Sequence, residues 1–364
     1  MDTPRTTASR LRAAQDLLKR PSRRWWILGG VLVVLAAAVF AHGQFARMVH
    51  SFLGADWSWM LAAIGLLLLA LVLSSYALKL IVHAYDDVRP SIVDTFSCTS
   101  IGLLANVLMP VRVGALLNPY VLYLLLRRRG ARVPFATTLG MTVTSQLMGA
   151  AMFVVFALLF VSVLAVPGWA VRALVAAAVL LVLVLGGGVA LQRSGRLRSL
   201  TACDAGDRRR GFAAWVRRYL PQFIDSQRVL GRPLSALAVA GVLALVWLTQ
   251  LAAAVAVLHA FHLGGAGWRA AALVLVLTNL IGILPLTPGN VGTFQVAAVA
   301  AMAVYGVGSG PAMAFALGLQ GLQLLVAILA GVASLGLQDL ALHDLAGGSR
   351  HAARHIGHEE YDTP

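Results

Sequence analysis

The stretch Leu284-Pro285-Leu286-Thr287-Pro288-Gly289-Asn290-Val291-Gly292-Thr293 interrupts an apolar run that extends over residues 275–306. Each proline removes a backbone donor and clashes with the turn before it, while Gly289 and Gly292 admit conformations that other residues resist. A helix entering this stretch must stop and restart. If the run lies in a bilayer, the freed N–H and C=O groups have no bulk water to turn to, and protein or a wet cavity must satisfy them. Broken helices of this kind are where membrane carriers place their ligand sites.

Working outward, the 364-residue chain is 59% hydrophobic and 12% charged, and apolar runs of bilayer-crossing length recur along it. The expectation is an all-α polytopic membrane protein. Full spans are expected near 25–46, 57–80, 134–165, 169–191, 234–260 and 311–337. Net charge is +15, carried almost wholly by Arg, with Lys19 and Lys79 the only lysines. The arginines sit between apolar runs, as in cytoplasmic loops and not as in a nucleic-acid groove, so no nucleic-acid partner is expected. Cys98 and Cys203 imply no disulfide framework. The run from Trp25 follows seven basic residues and is read as an uncleaved signal anchor, with cleavage near Val39-Phe40-Ala41 as the alternative. Residues 1–24 form a basic cytoplasmic tail, 25–340 the membrane domain, and 341–364 a polar, disordered tail.

Two runs fit no simple span. Residues 91–126 are interrupted at Pro110 and Pro119, yet basic residues flank both ends: Lys79 and Arg89 before, and Arg127, Arg128, Arg129 and Arg132 after. This predicts a re-entrant hairpin with both feet on the cytoplasmic side. Residues 268–306 are interrupted at Pro285 and Pro288, and both termini remain cytoplasmic only if this second hairpin enters from outside. Two opposed hairpins are the mark of an inverted repeat. Asn106 to Gly114 and Asn279 to Gly289 share the order Asn, apolar run, Pro, Gly. Two ordinary kinked spans are the alternative.

The loop 192–233 holds ten Arg against three Asp and is too short for a catalytic domain of ordinary size. Phe212, Trp215, Tyr219 and Phe223 would lie on one helix face, which suits either a membrane-surface helix or plain positive-inside anchoring. No nucleophile elbow, P-loop, dinucleotide fingerprint or HExxH motif is present, so no enzyme, cofactor or metal site is expected. His351, His355 and His358 lie in the tail and cannot hold metal geometry; His259 and His262 read as polar caps at the outer end of a span. Arg112 falls between Pro110 and Gly114 at a hairpin tip. A charge deep in the bilayer costs at least ~2.5–3.5 kcal/mol, and a guanidinium there suits a phosphate, unless a shallow hairpin lets it snorkel to the surface. Thr138, Thr142, Ser145 and Gly149 share a helix face, with Gln146 alongside, and either pack helices or line a cavity. The amides Gln250, Asn279, Gln295, Gln320 and Gln323 either line a neutral polar path or bond helix to helix.

Pro285-Leu286-Thr287-Pro288-Gly289-Asn290-Val291-Gly292-Thr293-Phe294-Gln295 resembles the P-x-T-P-G-G-x-G-x-x-E signature of the membrane region of lysylphosphatidylglycerol synthases and their flippase-like relatives. Met109-Pro110-Val111-Arg112-Val113-Gly114 with Pro119-Tyr120 resembles that family's earlier P-x-R-x-G-E-x-x-R-P-Y element. The resemblance covers residues 20–340 and implies an inner (plasma) membrane protein of bacterial type that moves phospholipids or polyprenyl-linked glycolipids between leaflets. Some relatives carry a fused aminoacyltransferase domain, which is not expected here. The departures run one way: Ala115 stands for an acid, Asn118 for Arg, Asn290 for the second Gly and Gln295 for Glu, while Ser145-Gln146 and Gly149 fall about where relatives have Glu-Arg and Asp. Neutral polarity replaces charge. The substrate-binding set implied by motif and resemblance is Asn106, Pro110, Arg112, Gly114, Asn118, Asn279, Pro285, Thr287, Pro288, Gly289, Asn290, Gly292 and Gln295. Its partner is a membrane lipid or lipid-linked precursor, with a lipid-modifying enzyme or a second copy as further partners. A noncatalytic scaffold acting through loop 192–233 and a lipid-modifying enzyme are the rival readings.

Overall fold

A computed structural model describes residues 54–85, 89–108, 114–131, 133–164, 166–193, 228–282 and 290–338. The expected span at 25–46, the two chain tails and most of the basic loop 192–233 lie outside them. All regular structure among the described residues is helical: α1 (Trp57–His83), α2 (Ile92–Leu108), α3 (Gly114–Arg128), α4 (Phe135–Phe160), α5 (Gly168–Arg193), the short α6 (Arg228–Gly231), α7 (Pro233–Ala260), α8 (Gly267–Gly282), α9 (Thr293–Ala303) and α10 (Ser309–Leu337). Six of the described helical segments are long and apolar enough to cross a bilayer. Five are the spans expected from sequence. The sixth, Gly264–Gly282, is the first arm of the second hairpin.

The helix lengths repeat. Helices α1 to α4 have 27, 17, 15 and 26 residues, and α7 to α10 have 28, 16, 11 and 29. At 1.5 Å per residue, α2, α3 and α9 each reach only ~16–26 Å, less than a ~30 Å hydrocarbon core, and α8 approaches that length only together with the 3-10 turn Gly264–Ala266 before it. Packing repeats as well: α2 pairs with α3 as α8 with α9, α1 with α2 as α7 with α8, and α3 with α4 as α9 with α10. The two halves meet along α1 and α7, which run antiparallel because the Asp56 N–H donates to the Ala260 carbonyl at 2.9 Å.

Both feet of the first hairpin stand at one end of the bundle. Arg129 at the end of α3 grips Asp94 at the start of α2, with Nε 2.6 Å from Oδ2 and Nη2 donating to Oδ1 at 3.2 Å. Arg128 Nη1 donates to the Gln338 carbonyl at 2.7 Å, and Gln338 Nε2 donates to Ser97 Oγ at 3.2 Å, so α10 ends there too. The second hairpin begins just after α7 ends and leads directly into the long α10, which places its feet at the opposite end. The hairpins are therefore opposed. One expectation is corrected: Pro119 does not interrupt its segment but lies inside α3. Being past the first turn, Pro119 forfeits the hydrogen bond its N–H would have made within α3, and the Asn118 carbonyl beside it accepts from Cys98 Sγ at 3.1 Å.

At the opposite end Asp56 caps α1 by accepting from the Ser58 N–H and hydroxyl at 2.9 and 2.7 Å. Those bonds, the hydroxyl's first, hold its carboxyl below the ordinary carboxylate range. The charged cap is thus in place at neutral pH and is lost only as pH falls through that lowered value. His259 stacks on Trp59 at 4.8 Å and His262 Nε2 lies 3.1 Å from the Gly54 carbonyl. Both histidines are interfacial partners.

Helix association in lipid gains little from burial alone, since lipid tails are as apolar as Leu, and depends on close packing and hydrogen bonds. One close approach joins α2 to α10. A Cβ on Gly331 would lie 2.6 Å from Leu104 Cβ and 3.1 Å from the Ser100 carbonyl. Between the equivalent pair, α4 and α8, bulky side chains intervene: Phe153, Val154 and Ala157 pack with Ala272 and Val276, and Phe160 meets Trp268 edge to face at 5.5 Å. The outward apolar residues of α5, such as Val182 and Leu183, are what a lipid-facing helix requires.

The topology is testable. In a variant lacking Cys98 and Cys203, single cysteines at positions 89 and 131 are expected to react with an impermeant thiol reagent from one side only. Cysteines at 265 and 308 are expected to react from the other. Opposite labelling within either pair would make that hairpin a full span.

Candidate functional site

A partly open cavity of about 640 Å³ lies at mid-length of the helices. Both hairpins contribute to its wall: Thr99 and Leu103 from α2, and Thr278, Asn279, Gly282, Asn290 and Phe294 from the second hairpin. Helices α1, α4, α5, α7 and α10 close the remainder, with Trp247 and Phe153 as the large aromatic walls. Trp247 is held by its indole N–H, which donates to the Gly149 carbonyl at 3.2 Å, and by Phe153 at 4.9 Å between centroids. No ionisable side chain lines the cavity among the described residues.

The polar groups of the wall divide in two. Thr99 and Thr278 turn their hydroxyls onto their own helices, donating to Thr95 and Val274 carbonyls at 2.8 and 2.7 Å, a common way for a membrane helix to satisfy a hydroxyl. The amides Gln250, Asn279, Asn290, Gln320 and Gln323, with Ser74, supply the rest. Asn279 Nδ2 donates to the Leu275 carbonyl at 2.9 Å. Gln250 and Gln323 have no hydrogen-bond partner among the described residues.

The restart of the broken helix is built by a device that the spacing alone could have revealed. Gly292, at φ 92°, is the N-cap of α9, and its N–H donates to Gln295 Oε1 at 2.6 Å. Gly-x-x-Gln is half of a capping box, with the N3 amide reaching back to the cap. Gln295 then passes its Nε2 to Gln320 Oε1 at 2.5 Å, tying α9 to α10. Asn290 adopts φ 56°, the left-handed region that Gly enters freely and Asn enters more readily than most residues. That explains why Asn stands where the resembled motif has Gly. Its carbonyl accepts from Thr293 Oγ1 at 3.0 Å.

The residues expected to bind substrate therefore separate. Asn279 and Asn290 face the cavity. Gln295 is buried in the cap and interhelical bond. Asn118 packs inside the first hairpin, where it accepts from Cys98 through both its side-chain and backbone oxygens and lies against Gly102, whose added Cβ would meet it at 3.1 Å. Asn106 Oδ1 is buried, with no partner among the described residues. Gly114 opens α3 and Gly292 caps α9. Pro110, Arg112, Pro285, Thr287, Pro288 and Gly289 lie outside the described residues. Thr138 and Thr142 are buried and their hydroxyls bond carbonyls of their own helix, so these two residues pack between helices and do not line the cavity.

With this geometry in place, comparison with known families is decisive. The family model for the lysylphosphatidylglycerol synthase TM region matches residues 26–331, which include both hairpins and every residue lining the cavity. The chain belongs to that family. It is thus a multi-pass membrane protein of a family concerned with lipid modification or transport, and its partners include membrane lipids. No curated protein and no solved structure matches it.

Proposed function

We propose that this family member is a carrier, not an enzyme, that moves an amphipathic lipid or lipid-linked precursor between leaflets of the bacterial inner membrane. Both termini are cytoplasmic, because Lys79, Arg89, Arg127, Arg128, Arg129 and Arg232 cluster at the end where α10 finishes, and positive charge favours that side. The observation that carries the reading is the cavity at mid-length, walled by two short hairpins entering from opposite ends. In inverted repeats, alternating access exchanges the packing of equivalent helix pairs. Here the tight α2/α10 contact and the side-chain-spaced α4/α8 contact are such a pair. The cavity's polar groups are amides and hydroxyls, which suit binding more than covalent chemistry. Arg112, next to the first hairpin's tip in sequence, is the charged residue we propose to meet the transported headgroup.

Purified protein is expected to retain a lipid detectable by mass spectrometry and to speed its leaflet exchange in liposomes. Arg112→Ala is expected to slow exchange far more than replacement of any one arginine of loop 192–233. Exchange no faster than in empty liposomes, for phospholipid, polyprenyl-phosphate and sterol-like probes alike, would defeat the carrier reading. Dependence on the loop arginines alone would favour a scaffold.

A further inference from the structure

We infer that the cavity takes an uncharged, hydroxyl-rich headgroup, as of a glycosyl lipid, and selects against a headgroup charged within the cavity. This inference rests on the carrier reading above and names its substrate class. The wall supplies five amides from three elements: Gln250 on α7, Asn279 and Asn290 on the second hairpin, and Gln320 and Gln323 on α10. Among the described residues it supplies no carboxylate, ammonium, guanidinium or imidazole. A phosphate or ammonium seated among these described residues would lose hydration without meeting a countercharge from any of them, which is strongly unfavourable. A sugar hydroxyl is both donor and acceptor, and a primary amide offers both in one plane, so amides serve hydroxyls without a charge on either side.

The wall's own hydrogen bonds narrow the choice. The threonine hydroxyls are spent on their own helices, and Asn279 spends a donor on Leu275, which leaves its Oδ1 as an acceptor. Gln250 and Gln323 stand near the middles of two long helices, line the cavity and have no protein partner among the described residues. Polar groups at that depth are retained where something pairs with them. The remaining wall, including Trp247, Phe153, Leu174 and Val326, is apolar and accommodates the chain-proximal part of a lipid.

The test compares three probes of matched acyl chains with the full-length protein in liposomes: glucosyl-diacylglycerol, phosphatidylglycerol and cardiolipin. Leaflet exchange is measured alongside lipid retention by native mass spectrometry. Glucosyl-diacylglycerol is expected to be retained and exchanged about tenfold better than phosphatidylglycerol, and cardiolipin least. The double variant Gln250→Leu/Gln323→Leu, similar in size and free of the unpaired amides, is expected to fold with an unchanged or higher Tm while losing most of that preference, each lost hydrogen bond weakening retention by up to about tenfold. Phosphatidylglycerol equal or preferred, or a double variant with the preference intact, would overturn the headgroup assignment while leaving a lipid carrier. Retention of the glucosyl lipid without accelerated exchange would uphold the headgroup assignment and overturn carriage. A protein that neither retains nor moves any probe would overturn both.

Discussion

Gly331→Leu is expected to unfold or inactivate the protein, while Gly321→Leu, ten residues earlier on the same helix, is expected to be nearly silent. At Gly331 a Cβ alone would stand 2.6 Å from Leu104 Cβ and 3.1 Å from the Ser100 carbonyl, whereas at Gly321 nothing lies within 4 Å. The obstacle at 331 includes backbone, so relief requires α2 to move away from α10. Overpacking in a tight core costs about 1–3 kcal/mol, and separating α2 from α10 would also strain the Gln338 to Ser97 bond. Thermal unfolding in detergent measures the first effect and liposome exchange the second. Equal stability of the two variants would show that α2 and α10 do not pack closely. Gly331→Ala adds the smallest possible wedge. If its folding survives but exchange stops, closure of this pair belongs to the transport cycle.

Gln295→Leu is the second large effect we expect. The substitution keeps the approximate volume but removes the acceptor for the Gly292 N–H and the donor to Gln320 Oε1. Gln320 is buried against Gln295 while Gly292 is exposed, and disturbing one buried polar partner costs about 1–3 kcal/mol, so a loss of about 1–3 kcal/mol is expected, read as a fall in Tm and looser protease resistance of the second hairpin. Gln295→Glu is expected to retain much of the lost stability. A carboxylate still accepts from the Gly292 N–H, and negative charge at the start of α9 is favoured by the helix dipole. The resembled motif has Glu at this position, and capping is sufficient reason for it. If Gln295→Leu were neutral for folding yet abolished lipid retention, Gln295 would be a ligand and the capping account would fail.

Much of this architecture was legible in the chain. The spans expected at 57–80, 169–191, 234–260 and 311–337 fall within a few residues of α1, α5, α7 and α10, because membrane thickness sets a length and arginines punctuate it. Both hairpins were legible for the same reason: their basic or apolar flanks state which side each foot occupies. Pro119 was misread because an interior proline costs a helix one hydrogen bond without ending it where the surrounding helices pack the segment, as α2 packs α3 here.

The roles of the amides were decided elsewhere. Gln250, Asn279, Gln295, Gln320 and Gln323 look alike in sequence: each is an amide in an apolar run. Gln295 is consumed by a cap and a neighbouring helix, while Gln250 and Gln323 face open space, and that difference is set by which helix lies opposite each residue. Amino-acid sequence by itself determined that this is a helical membrane protein with two opposed, broken segments and little charge within them, since hydropathy and backbone chemistry act locally. Only the tertiary structure decided which neutral groups remain unpaired around a cavity, because satisfying a buried polar group takes partners distant along the chain.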